Sequence, residues 1–122
     1  MRNSLQSGSR LEMAKREVDQ CIVRALGKLG ESTSEVIFYH LETRFGITTE
    51  DASNDSIRLG WGLQGIFGKA TPYVIDLILD EANSVKSPSE GLLHFARGLK
   101  TYREAHFPNV SPSSPKRGEP YV

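Results

Sequence analysis

His94-Phe95-Ala96-Arg97-Gly98 carries the most pointed chemistry in this chain, a histidine with a cation three residues on and a glycine after it. An imidazole nitrogen can accept a phosphoryl group, and an arginine one helical turn away can neutralise it. With Phe95 and Leu99 facing a core, His94 and Arg97 point to solvent on one side, so phosphotransfer at His94 is the enzyme-class alternative. A solvated helix histidine is the commoner origin of such a string.

The other reactive residues lack companions. Asp76 and Asp80 stand one turn apart and could hold a cation or act as a carboxylate pair, but no histidine, cysteine or third acid joins them, so a solvated polar face is expected. His40 and His106 have no second ligand at metal spacing on their own helices. Cys21, the single cysteine, falls on an apolar stripe and reads as a small buried hydrophobe; alone, it excludes an internal disulfide and a Cys-rich zinc site. Gly60-Trp61-Gly62-Leu63-Gln64-Gly65 matches the dinucleotide fingerprint as letters, with Glu81 near the ribose-binding distance. The phosphate site needs a strand feeding the glycine turn, whereas these glycines sit inside a helical pattern after a polar loop. No catalytic residue, cofactor site or metal site is expected.

Binding residues are easier to nominate. Trp61 and Ile57 lie across their helix from Leu59, Leu63 and Ile66, which leaves them in a second core layer or on a surface. Val36 and Tyr39 form a second, partly apolar face on the preceding helix. These four are the candidate partner-binding residues.

Helices must position all of these groups. Leu11, Ala14, Val18, Cys21, Ile22, Ala25, Leu26 and Leu29 recur at spacings of three and four, and Gly27 and Gly30 end that first helix. A capping box of Ser32 and Glu35 opens a second helix, which runs to Phe45 and stops at Gly46. Residues 48 to 55 read as a loop or single turn, rich in side chains that compete for backbone hydrogen bonds. Asp55 caps a third helix, Ser56 to Phe67, whose three glycines each cost about 1 kcal/mol against alanine, so tertiary packing must hold it, and close approach of a neighbouring backbone is one way the glycines could compensate. Thr71-Pro72 opens a fourth, apolar round most of its circumference, and Ser87-Pro88-Ser89-Glu90 opens a fifth that ends near His106. No stretch alternates with a strand's period of two. The expected fold is all-α: a compact bundle of about five helices over 10–107, between disordered tails at 1–9 and 108–122. Pro112 to Arg117 has the pattern of a polyproline ligand, though a solubilising tail explains it as well.

Composition narrows the partners. Fifteen basic and fifteen acidic residues cancel, but 1–28 holds six basic and three acidic side chains, 29–83 three and nine, and 84–122 six and three. Basic ends can lie against the acidic middle; a nucleic-acid domain usually shows a net positive balance. DNA binding is the first alternative to a protein partner, resting on a faint helix-turn-helix about Gly46 and on Arg97, Lys100 and Arg103 in the fifth helix. Its reading helix has Arg58 as its one cation. No stretch approaches the roughly 20 apolar residues of a membrane span and no signal-like run opens the chain, so a cytoplasmic location is expected.

Leu41-Glu42, Gly46-Ile47, the run Leu63 to Ala70 with its Ile66-Phe67-Gly68 element, and Ile78 give the stretch Glu35 to Ala82 a resemblance to the fifth Nitrosopumilus output domain family, a group of small archaeal domains. The resemblance implies a non-catalytic output or regulatory module, often joined to signalling domains, that works by contact with another macromolecule. It brings no catalytic residues to carry over. The string at His94 also resembles the signature of histidine phosphotransfer domains, with arginine in place of that family's usual lysine. The sequence therefore reads as an archaeal regulatory module that binds a partner, with helices two to four short for a phosphotransfer bundle and without the net positive charge usual for DNA binding.

Overall fold

The computed structural model describes residues 2–110, with side chains from Met13 onward. Its elements are α1 (Arg2–Gly27), α2 (Thr33–Phe45), α3 (Thr49–Asn54), α4 (Ser56–Phe67), a 3-10 turn over Gly68–Ala70, α5 (Thr71–Asn83) and α6 (Glu90–His106). No strand occurs among the described residues, so the all-α bundle holds. Beyond Val110 the expected C-terminal tail lies outside the described residues, as do the side chains of the expected N-terminal one.

The stripe Val18, Cys21, Ile22, Ala25 and Leu26 is buried, and it sets α1 against α5 and α6. Leu59 and Leu63 from α4, Val74, Ile75 and Ile78 from α5, and Leu92, Phe95 and Leu99 from α6 complete one continuous core. Burying each large aliphatic side chain contributes about 1.5–3 kcal/mol. At the end of α2, Gly46 takes the left-handed conformation, φ 67°, which a side chain would resist. Its amide returns to Glu42, and the amide of Ile47 to Leu41 at 2.9 Å, which turns the Ile47 side chain into the core.

Several helix starts differ from expectation. Ser32 precedes α2 but makes no capping bond, because its φ of −107° and ψ of 13° are not those of a cap whose hydroxyl reaches the third amide. The polar segment after Thr48 is a true short helix: Thr48 Oγ1 accepts from the Asp51 amide and Asp51 accepts from the Thr48 amide, both at 3.1 Å. Asp55 caps α4 as expected, accepting from the Arg58 amide. Thr71 does not cap α5; its hydroxyl donates to the Gly68 carbonyl at 2.6 Å and ties down the 3-10 turn. At α6 the cap is Ser89, whose Oγ accepts from the Leu92 amide. The reciprocal bond that a glutamate on the same turn would make comes instead from Glu17 on α1, which accepts from the Ser89 amide at 3.0 Å.

The glycines of α4 are filled by side chains, not by a neighbouring backbone. A Cβ at Gly60 would stand 2.6 Å from the Tyr102 ring, one at Gly62 2.6 Å from Leu41 and 2.7 Å from Ile47, and one at Gly65 would run into the Phe45 ring. The fingerprint-like string is thus a packing device inside a helix.

Candidate functional site

All four candidate contact residues are at the surface. Val36 and Tyr39 lie on the side of α2 away from buried Ile37 and Leu41, with Tyr39 64% exposed; Ile57 and Trp61 lie on the outer side of α4, with Trp61 54% exposed. The second core layer considered for Trp61 is absent. Trp61 is held by one edge-to-face contact, its ring centroid 5.4 Å from that of Phe45 at the end of α2. That pair links the two helices at this surface. Tyr39 meets His40 in a similar edge contact at 5.6 Å.

His94 and Arg97 are both exposed but open onto different concavities. His94 lines a cavity of about 650 Å³ between α1, α4 and α6, shared with Lys15, Ser56 and Ile57. Arg97 lines a groove of about 450 Å³ between α5 and α6. The helix that carries them sends one to each side.

The clearest correction concerns Asp76. It does not belong to a solvated polar face with Asp80: Asp76 is 8% exposed and Arg103 6%. Arg103 Nε stands 2.7 Å from Asp76 Oδ1, Nη2 donates to Oδ2 at 3.0 Å, and Nη1 donates to the Val110 carbonyl at 3.0 Å. A two-pronged pair of this kind fixes α5 to α6 in one register. Asp80 remains exposed. Sequence reasoning missed the pair because its members are 27 residues apart and each looks, on its own helix, like a polar-face residue.

Elsewhere the titratable groups serve structure. Cys21 is buried, and desolvation raises its thiol pKa above the ordinary value, away from nucleophilic reactivity. Asp19 is raised as well, first by desolvation and against a hydrogen bond from Ser53. Arg58 donates to the Gly46 carbonyl at 3.0 Å and stands 3.5 Å from Asp51. His106 stacks on Tyr102, ring centroids 3.9 Å apart, and Tyr102 donates to Gln64 Oε1. Among the described residues, no three His, Cys, Asp or Glu side chains gather as a metal site requires, and no helix is long and apolar enough to cross a membrane.

Compared with protein-family models, curated proteins and solved structures, the chain matches none.

Proposed function

We propose that this chain is a non-catalytic regulatory module of the Nitrosopumilus output type, working in the archaeal cytoplasm by binding a protein through the outer faces of α2 and α4. The observation that carries the reading is the exposure of Val36, Tyr39, Ile57 and Trp61 on helices whose cores are already complete without them. Tyrosine and tryptophan, the types at 39 and 61, are enriched among the few residues that dominate binding energy in protein interfaces. The edge contact with Phe45 limits the motion of Trp61 beforehand, so less side-chain entropy is lost when a partner covers it.

Two features favour protein over DNA as the partner. Arg103, one of the three cations counted on α6, is buried in its pair with Asp76, and Arg58 is committed to Gly46 and Asp51. Two cations on one helix give little of the phosphate neutralisation that DNA affinity rests on.

The test compares wild type, Trp61→Ala and Tyr39→Ala as full chains in recovery of partners from native lysate, followed by titration with the purified partner. Trp61→Ala is expected to weaken binding by tenfold or more, about 1.4 kcal/mol or above. Its melting temperature should stay near that of wild type, since the ring is half exposed. Equal recovery of every partner by wild type and both variants removes this surface from the proposal.

A further inference from the structure

We infer that the face formed by α5 and α6 docks a second copy of this chain, in a two-fold dimer that lays each α5 against the other copy's α6. The groove between these helices has an apolar floor of Leu79, Leu93 and Ala96. On α5 the groove carries Asp80, and on α6 Arg97 and Lys100, with Glu104 one turn beyond them. Asp80, Arg97 and Lys100 are exposed, and no ion pair closes on any of them among the described residues.

The buried pair sets the levels along this groove. The short connection from Asn83 to Glu90 makes α5 and α6 antiparallel neighbours, and Asp76 stands level with Arg103. Asp80 lies four residues, about 6 Å, further along α5. It is therefore level with the residues that precede Arg103 by one turn, Leu99 and Lys100.

A symmetric dimer needs a surface that complements itself. A two-fold axis along the groove turns the α5 wall of one copy onto the α6 wall of the other without changing level. Asp80 of each copy then meets Lys100 and Arg97 of the other, so the charge contact is made twice, and Leu79, Leu93 and Ala96 close on their counterparts between the walls. An axis across the groove at the level of Asp80 sets that acid against its own counterpart and away from Lys100. Self-complementarity under one operator is what selects a second copy as the occupant.

The face is about two helix diameters wide and as long as α5, roughly 20 Å by 20 Å. That places the interface below about 1,200 Å² in total, the range of weak and reversible association. Half-dimerisation is expected at a concentration on the order of 100 µM in low salt, weakening as salt screens the four-fold charge contact. The surface is separate from the outer faces of α2 and α4, so the two proposals stand independently.

Sedimentation velocity of the full chain, from about 10 µM to about 1 mM, tests it. Wild type should show a concentration-dependent dimer. Asp80→Lys alone, and Arg97→Glu with Lys100→Glu in one chain, should each weaken it by more than tenfold while leaving circular dichroism unchanged, since every substituted side chain is exposed. An equimolar mixture of the two variants should restore association, because lysine then faces glutamate in one half of the interface and the native charges face each other in the other half. Wild type that stays monomeric over the whole range overturns the proposal. So does a dimer indifferent to these substitutions, or a mixture that fails to associate. Amide signals of residues 93–100 that shift when 111–122 are removed from a monomeric chain would put the chain's own C-terminal residues in the groove instead.

Discussion

Replacing Asp76 by alanine leaves the Arg103 guanidinium more than nine-tenths buried without its carboxylate. Breaking a buried ion pair from one side costs about 3–5 kcal/mol, because the remaining charge has lost both water and partner. A domain of about 100 residues has roughly 5–15 kcal/mol of total stability, so the single change removes about a fifth of it at the least. In urea, with a slope near 1.5 kcal/mol per molar, the unfolding midpoint followed by circular dichroism should fall by roughly 2–3 M. Asp76→Leu combined with Arg103→Met removes both charges and keeps bulk in the seam, so it should return to within about 1 kcal/mol of wild type. The double variant is the decisive measurement, since it separates loss of packing from loss of charge balance. A cost below about 1 kcal/mol for Asp76→Ala, or a double variant no more stable than either single one, would mean that water already solvates the pair, and the account of the α5–α6 register would fall.

Gly60→Ala should destabilise by about 1–2 kcal/mol despite the gain in helix propensity, because the new methyl meets the Tyr102 ring, whereas Gly27→Ala enters open space and should not; urea titration of both distinguishes the two cases. Glu17→Ala removes the acceptor of the Ser89 amide and should cost about 1 kcal/mol, with a non-additive cycle when combined with Ser89→Ala. Burial raises the Asp19 pKa above its ordinary 3.8, so its contribution to stability is greatest below that value and is lost as pH rises through the folded pKa. Asp19→Asn should therefore melt higher than wild type at neutral pH, with the difference closing in acid.

The helical class was legible because the apolar period is strong where burial is deepest: the stripe from Val18 to Leu26 reads off the chain and is buried as read. Asp55 was legible as a cap because its partner, the Arg58 amide, is three residues away. The failures share a cause, which is that sequence reveals local partners and conceals distant ones. Ser89 caps its own helix by accepting from the Leu92 amide, but its own amide donates to Glu17, 72 residues earlier. Thr71 spends its hydroxyl on the preceding turn. The small helix after Thr48 did carry a local signal, the Thr48 to Asp51 spacing of a capping box, hidden among side chains that also favour loops. In the candidate site, helical angle alone set Ile57 and Trp61 across α4 from Leu59 and Leu63, but whether a second core layer would cover them depended on the neighbouring helices, which leave them exposed. The separation of His94 from Arg97 likewise depends on which helices flank α6.

The exposure of Trp61 follows from the same glycines that make α4 a poor helix in isolation. With no side chain at Gly60, Gly62 or Gly65, α4 can sink between α2 and α6 until Tyr102, Leu41, Ile47 and Phe45 fill the three gaps. Each glycine costs about 1 kcal/mol of helix propensity, and the packing of those larger groups offsets it. With its flanks occupied from outside, α4 turns Leu59 and Leu63 into the core and leaves Ile57 and Trp61 on its outer side. Phe45, seated in the gap at Gly65, then presents its ring to Trp61. One packing solution thus both anchors α4 and sets the orientation of the side chain proposed to meet a partner. Disturbing the gap at Gly65 should change recognition through the position of Phe45 even though Trp61 itself is untouched.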